Sequence, residues 1–288
     1  MTTTRATRLP YAPGTRDYHD HAAVSQSGLK LFADDPGRYR DRYVVRIDAG
    51  DDGGSAAMEW GRDFEDLIFY GRTPGVLIPP DVLAITRRDG KEIATRRGDA
   101  WEEWRARQIE QFGPDVRLLK QDEWDAKVAP LLIARDAVRA HPRAVKLLDG
   151  ERHVALTWTD ERTGLPCKCQ FDVVCRFGTL TDLKTAAETD PDAFVRAIVN
   201  FRYHWQAWWY REAWKRYAGE TRPFAFVVVK SKPSYTVETY DLHPDWYDLA
   251  EVQIRDTMDR LAAAYASGNW TTPTFGRITT LRPPRWAY

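Results

Sequence analysis

The stretch that most constrains this chain runs from Cys167 to Thr185. It reads as two short strands joined by a tight turn at Gly178-Thr179. Side chains alternate between faces along a strand. Cys167, Cys169, Phe171, Val173 and Cys175 therefore share an apolar face, and Lys168, Gln170, Asp172 and Val174 share a mixed one. On the second strand Asp182 and Lys184 lie on one face and Leu183 on the other. Pairing of the two strands brings an acid from each together, with a lysine beside them. That set suits a divalent cation and a nucleophilic water. It equally suits two solvated acids and a surface lysine on an ordinary hairpin, and these residues alone leave both readings open.

Bulk properties narrow the class. The chain has 288 residues, 43% of them hydrophobic and 29% charged, which describes a soluble globular protein of one or two domains. No apolar run approaches the length of a membrane span, and Met1 to Arg5 opens no apolar leader, so a cytoplasmic protein with no membrane partner is expected. All three cysteines fall within Cys167 to Cys175. That argues for packing and against a disulfide framework or a four-cysteine cluster. Lys and Arg total 42, as do Asp and Glu, so net charge neither supports nor excludes nucleic acid. Most of the twelve tryptophans are expected in cores or interfaces.

In chain order, residues 1–16 show no periodicity and predict a flexible arm, followed by one domain over 17–288. Ser25 is an N-cap for a short helix through Phe32, and Pro36 starts a second helix carrying Arg38, Tyr39, Arg42 and Tyr43. Residues 48–55 are acidic, Gly-rich and loop-like. Ala56 to Tyr70 is an amphipathic helix whose core stripe is Ala57, Trp60, Phe64, Leu67 and Ile68, with Glu65 beside the stripe. Residues 71–98 read as loop-rich with a basic cluster that includes Arg87 and Arg88. Helices over 100–112 and 121–148, the latter broken at His141-Pro142, read as scaffold. A strand over Val154 to Trp158 then leads through the turn at Asp160 to Gly164 into the opening hairpin. Pro191 starts a helix whose Phe194, Ala197, Ile198 and Phe201 run towards Trp214, with Gln206 and Tyr210 on one face. Strands at Phe224–Lys230 and Tyr235–Asp241 and a helix from Pro244 to Tyr265 close the chain.

These pieces resemble the PD-(D/E)XK nuclease superfamily. Asp172 followed by Asp182-Leu183-Lys184 matches its core motif, with Phe171 in place of the proline. Ser25-x-Ser27-x-Leu29-x-x-Phe32 with Pro36 and Tyr39, and Gln206-x-x-x-Tyr210, resemble the signatures of the RecB-like branch. Gly61 to Glu65 falls where that branch has a glycine followed four residues later by a metal-binding histidine. Tyr18-His19, Val138 to Pro142, Thr157 to Asp160, Thr163 to Cys167 and Phe201-x-Tyr203-His204-x-Gln206 are similar to the nuclease domain of RecE-type exonucleases.

The resemblance implies an α/β fold, a central mixed β-sheet flanked by helices with a helical N-terminal elaboration. It implies a metal-dependent exonuclease degrading linear double-stranded DNA, 5′ to 3′, for phage-type recombination. Glu65, Asp172, Asp182 and the Leu183 carbonyl would hold Mg²⁺, with Mn²⁺ as a substitute. A carboxylate at 65 suits a hard cation as well as imidazole does. Lys184 would position or deprotonate water and stabilise charge. Gln206 and Tyr210 would orient Lys184 or contact the substrate strand. Ser27, Arg38, Arg42, Arg87 and Arg88 would track DNA. The implied partners are double-stranded DNA ends, a RecT-like single-strand annealing protein and further copies of the chain in a ring. A structure-specific or nicking endonuclease, or an inactive DNA-binding protein, would fit the same scaffold.

Overall fold

A strand that is apolar on both faces belongs inside a sheet covered on both sides, and Phe224–Lys230 is such a strand. In the computed structural model, Phe224, Phe226 and Val228 join one buried cluster and Ala225, Val227 and Val229 the other. The structure describes residues 5–11, 17–47, 54–86, 92–94, 96–280 and 282–283. The central sheet has six strands in the order β1-β2-β3-β4-β5-β6. They are β1 (Thr7–Arg8), β2 (Gly150–Thr159), β3 (Pro166–Cys175), β4 (Leu180–Ala186), β5 (Phe224–Lys230) and β6 (Val237–Asp241). Within this sheet, among the described residues, β4 and β5 pair in parallel and the other neighbours pair antiparallel. A parallel pair needs a crossover connection, and helices α6 (Pro191–Asn200) and α7 (Tyr203–Ala218) provide it.

One face of the sheet carries α7, the helix α8 (Pro244–Ser267) and the N-terminal helix α1 (Gln26–Asp34), around Phe171, Trp209, Ala213, Ile254 and Leu261. The other face carries α2 (Ala56–Tyr70), α4 (Ala129–Ala140) and α5 (Pro142–Leu147), around Phe64, Leu131, Val138, Val173 and Val227. Helix α3 (Asp99–Phe112) lies on a smaller cluster built from Ile78, Val82, Leu83, Trp101 and Trp104.

The helix starts follow their capping chemistry. The Ser25 side chain accepts from the Gly28 N–H, and the Asp190 side chain from the Ala193 N–H before Pro191. Helix α2 spans the residues its pattern predicts. Phe64, Leu67 and also Phe69 are buried, whereas Ala57 is exposed because the first turn projects beyond the sheet's cover.

Four expectations are corrected. Within the expected arm, Thr7–Arg8 pairs with Thr157 and Leu156, and Ala6 is buried, so this part is docked on the sheet edge. The helix expected after Pro191 breaks at Arg202, whose φ is 50, and this leaves Phe201 58% exposed. The helix over 121–148 is interrupted at Val128 as well as at His141. Finally, the three cysteines do not share a face. Cys167 and Cys169 join the cluster under α7, and Cys175 joins the opposite one, where its Sγ donates to the Lys146 carbonyl. The alternation changes phase at Asp172. The expected loop over 48–53 lies outside the described residues.

The N-terminal half of β3 lies beyond the reach of β4, which pairs only at Val173 and Val174. Val24 covers that free edge, its backbone exchanging hydrogen bonds with Pro166 and Lys168. Lys168 fastens the same segment. Its buried ammonium donates to the carbonyls of Tyr18, His19 and His21 at 2.6, 3.2 and 2.9 Å. Burial pushes its pKa down to about 8. Lys168→Met would orphan those carbonyls and is expected to cost about 1–3 kcal/mol. Thermal unfolding would show a lower Tm, and limited proteolysis should begin in residues 17–24. An unchanged Tm would contradict this role.

Candidate active site

The site exists because β3 and β4 pair briefly and then part. After Val173↔Thr181 the ladder stops. Asp172 Oδ2 instead accepts the Leu183 N–H at 2.9 Å, so a side chain stands where a backbone carbonyl would. In an extended strand the N–H and C=O of one residue point to the same edge. The Leu183 carbonyl therefore also faces the gap.

Asp182 is completely buried. Its Oδ1 accepts from Gln206 Nε2. Its Oδ2 lies 2.6 Å from Lys184 Nζ, in an ion pair without hydrogen-bond geometry. Gln206 also donates to the Tyr210 hydroxyl at 3.2 Å, and Phe171 and Phe224 pack on the Tyr210 ring. A carboxylate buried this deeply persists only when paired and hydrogen-bonded, and α7 and Lys184 together meet that need. Lys184 also lies 5.0 Å from the centre of the Tyr203 ring.

Glu65 reaches the gap from α2. Gly61, one helical turn earlier, makes the approach possible, since a Cβ there would lie 3.0 Å from Thr185 Oγ1 on β4. Glu65 Oε1 is 3.8 Å from His153 Nε2.

The charges are strongly linked. Burial, then the Asp182 and Glu65 carboxylates, raise Asp172 well above the usual carboxylate range. Burial, then Asp182, push Glu65 up to about 7, against the pull of Lys184. The Glu65 side chain is 41% exposed, so water damps that push. For Lys184, burial opposes the charge, but Asp182 and then Asp172 outweigh it and the pKa rises.

The donors are hard oxygens, the type that Mg²⁺ and Mn²⁺ select. Asp182 Oδ2 is buried without a hydrogen bond, and the carboxylates repel one another in a way that a cation would relieve. These residues therefore fit a hard divalent ion in chemistry. Among the described residues, no three His, Cys, Asp or Glu side chains converge closely enough to hold one in the conformation seen. Lys184 occupies the position beside Asp182 instead.

Thus Glu65, Asp172, Asp182, Lys184, Gln206 and Tyr210 come together from α2, β3, β4 and α7. Ser27 lies on α1, and Arg38 and Arg42 follow it in the N-terminal helical layer. The Ser27 hydroxyl is 3.0 Å from that of Ser25, and Arg42 lies over the Tyr43 ring. Arg87 and Arg88 lie outside the described residues. Two neighbours escaped the sequence reading. Lys30 on α1 donates to the Phe201 carbonyl at 2.7 Å; burial and then Lys184 push its pKa down to about 7. Its place inside the Ser25–Phe32 motif was a usable signal. His153 on β2 is the other, and nothing in a polar strand start singles it out.

Tyr210→Phe removes only the acceptor at the end of the Gln206 chain. It is expected to cost about 1 kcal/mol of stability and to leave cleavage within about tenfold of wild type, which is 1.4 kcal/mol on the barrier. Gln206→Met also uncovers the Asp182 carboxylate, and it should lower both Tm and cleavage by more. Equal effects in the two variants would contradict this order.

A mixed sheet flanked by helices, with two acids and a lysine at a parting of two strands, defines the PD-(D/E)XK nuclease superfamily. A family model described as a PDDEXK-like domain of unknown function (DUF3799) matches residues 109–280, and the chain belongs to that family. The matched span contains Asp172, Asp182, Lys184, Gln206 and Tyr210 and begins after Glu65. The crystal structure of a candidate exonuclease from Eubacterium rectale is similar, with a TM-score of 0.60 over 96% of this chain and 97% of that one. The two share 16% sequence identity, so this likeness speaks for the fold. No curated protein matches the chain.

Proposed function

We propose that this protein is a metal-dependent deoxyribonuclease that degrades linear double-stranded DNA from its ends, in the manner of RecE-type exonucleases. The observation that carries the reading is the buried Asp182–Lys184 pair beside Asp172, at the point where β3 and β4 part. Glu65, Asp172, Asp182 and the Leu183 carbonyl are the groups that would hold Mg²⁺ or Mn²⁺. Such an ion, when bound, supplies Lewis acidity toward the scissile phosphate and a water of lowered pKa.

The protein's own residues do the rest. Gln206 fixes the rotamer of Asp182, and Tyr210 holds Gln206. The raised pKa of Lys184 keeps it protonated at neutral pH. It therefore acts as a fixed cation that orients water and stabilises charge growing on the phosphate, and not as the base. Burial of Asp182 strengthens its pairing with Lys184. Lys30 lies near enough to Lys184 to feel its charge, which with burial lowers the Lys30 pKa to about 7 and leaves it only partly charged at neutral pH.

The wider reading is 5′ to 3′ digestion in a ring of several copies, handing single strands to a RecT-like annealing protein. Among the described residues no helix is long and apolar enough to cross a membrane. End-labelled linear duplex bearing 5′ phosphate or 5′ hydroxyl is the test, alongside closed circular duplex, with Mg²⁺. Loss of the linear substrates with the circle intact is expected. Nicking of the circle would replace the exonuclease with an endonuclease, and intact linear duplex would overturn the nuclease reading.

A further inference from the structure

The corner between α6 and α7 holds a phenylalanine ring out in solvent. Phe201 is exposed there, although burial of so large an apolar ring is favourable. The next residue, Arg202, has φ 50, in the left-handed region that non-glycine residues rarely adopt. Strain of this kind persists where the surroundings over-determine it, and it collects at functional sites. Here α1 restrains both residues. The Arg202 guanidinium donates two hydrogen bonds to the Asp34 carboxylate, at 2.9 and 2.6 Å. Lys30 Nζ donates to the Phe201 carbonyl at 2.7 Å.

This corner is one ring away from Lys184. Tyr203 is half-buried against Phe194 and Phe226. Lys184 Nζ lies 5.0 Å and Lys30 Nζ 5.7 Å from the centre of its ring. Phe201 stacks on the same ring, with centroids 5.5 Å and planes 30° apart, and Tyr203 is the one ring it meets among the described residues. An open aromatic surface thus continues the wall on which both lysines rest. Successive nucleotides rise about 3.4 Å along a strand, so a phosphate at Lys184 brings the next base or two to this corner. The amines suit the phosphate and the ring suits the base. Inside a duplex both faces of a base are covered by its neighbours, and a face is free only where the stack ends.

We propose that Phe201 stacks on the terminal nucleobase of the strand being cut, and that this contact helps the site to select duplex ends. The proposal rests on the nuclease reading above. Stacking on an aromatic ring tolerates any sequence, since every base has a π-face. An internal base would first have to leave its own stack, which costs free energy that a terminal base does not require. Val195 and Val199, one helical turn apart on α6, are also exposed and extend the apolar patch away from the corner. A second copy of the chain would cover that patch as a whole, whereas a base needs Phe201 alone.

The test is photocrosslinking. 5-Iodouracil couples under ultraviolet light to an aromatic ring stacked on it, and it is placed as the terminal base of either strand of a linear duplex or at an internal position. The full chain binds the duplex with Ca²⁺ in place of Mg²⁺, an ion of looser coordination, and mass spectrometry locates the adduct. A terminal probe should couple to Phe201, and the internal probe should not. Phe201→Ala should raise KM for linear duplex between about fivefold and a hundredfold, as loss of one base stack does. Its kcat should stay near wild type, whereas a displaced Lys184 would lower kcat. Phe201→Trp should restore both the adduct and KM. Digestion without an adduct at Phe201, and with Phe201→Ala digesting like wild type, would overturn the stacking role and leave the nuclease reading standing. A smaller assembly for Phe201→Ala, again without an adduct, would overturn it in favour of a contact between copies. Wild type that neither cuts linear duplex nor couples to the probe would overturn both readings. Should Phe201→Ala fail to fold, the wild-type adduct decides alone.

Discussion

Asp182→Asn is expected to abolish DNA cleavage while the protein remains folded. The substitution is isosteric and keeps an oxygen for the Gln206 amide. It removes the charge that pairs with Lys184 at 2.6 Å and the hardest donor available to a cation. Losing several kcal/mol of charge stabilisation in the transition state corresponds to a rate reduction of about 10³-fold or more. Digestion of end-labelled linear duplex measures it, with circular dichroism and Tm to show that the fold is intact. A divalent cation should raise the Tm of the wild type, because it binds the folded state alone, and should do so far less in Asp182→Asn. Near-normal digestion by this variant would remove Asp182 from the chemistry, and the proposed site with it.

Lys184→Met is expected to show the largest loss of stability. It strands the Asp182 carboxylate in a site with no exposure, beside Asp172 and Glu65. Removing one partner of a buried pair costs about 3–5 kcal/mol, because the remaining charge is uncompensated. The double variant Asp182→Asn with Lys184→Met removes both charges, and it should be more stable than Lys184→Met alone. That non-additivity distinguishes a charge effect from lost packing against Tyr203. A divalent cation should also rescue Lys184→Met more than wild type, since it replaces the missing positive charge. A double variant as unstable as the sum of the singles would contradict the account. Cleavage should fail in both variants that lack the lysine.

Much of the site was legible because its parts are local. Asp182 and Lys184 are two apart on one strand, and Gln206 and Tyr210 are one helical turn apart, so periodicity alone places each pair on a common face. The caps at Ser25, Pro36 and Pro191 announced their helices for the same reason. Other features depended on long-range contacts. The phase change comes at Asp172, where the side chain takes a ladder bond from Leu183 eleven residues on, and strict alternation cannot foresee that. Cys175 changed faces with it. The break at Arg202 lets α7 turn its Gln206 toward the sheet, and its neighbours carry no proline or glycine to signal it.

By itself, the sequence determined the order of the strands and helices from Val154 onward, apart from the break at Arg202, the membership of Asp172, Asp182 and Lys184 in one hairpin, and the core identity of most residues around them. These follow from side-chain period, capping and apolar content, which act over a few positions. Only the tertiary structure decided that β3 and β4 part at the acids, that Glu65 comes down on them from α2 across Gly61, and that Gln206 secures a fully buried Asp182. It also put Lys30 and His153 beside the site. The physical reason is that desolvation and mutual charge act through space. Nothing in the spacing along the chain records how near a carboxylate from residue 65 lies to one from residue 182.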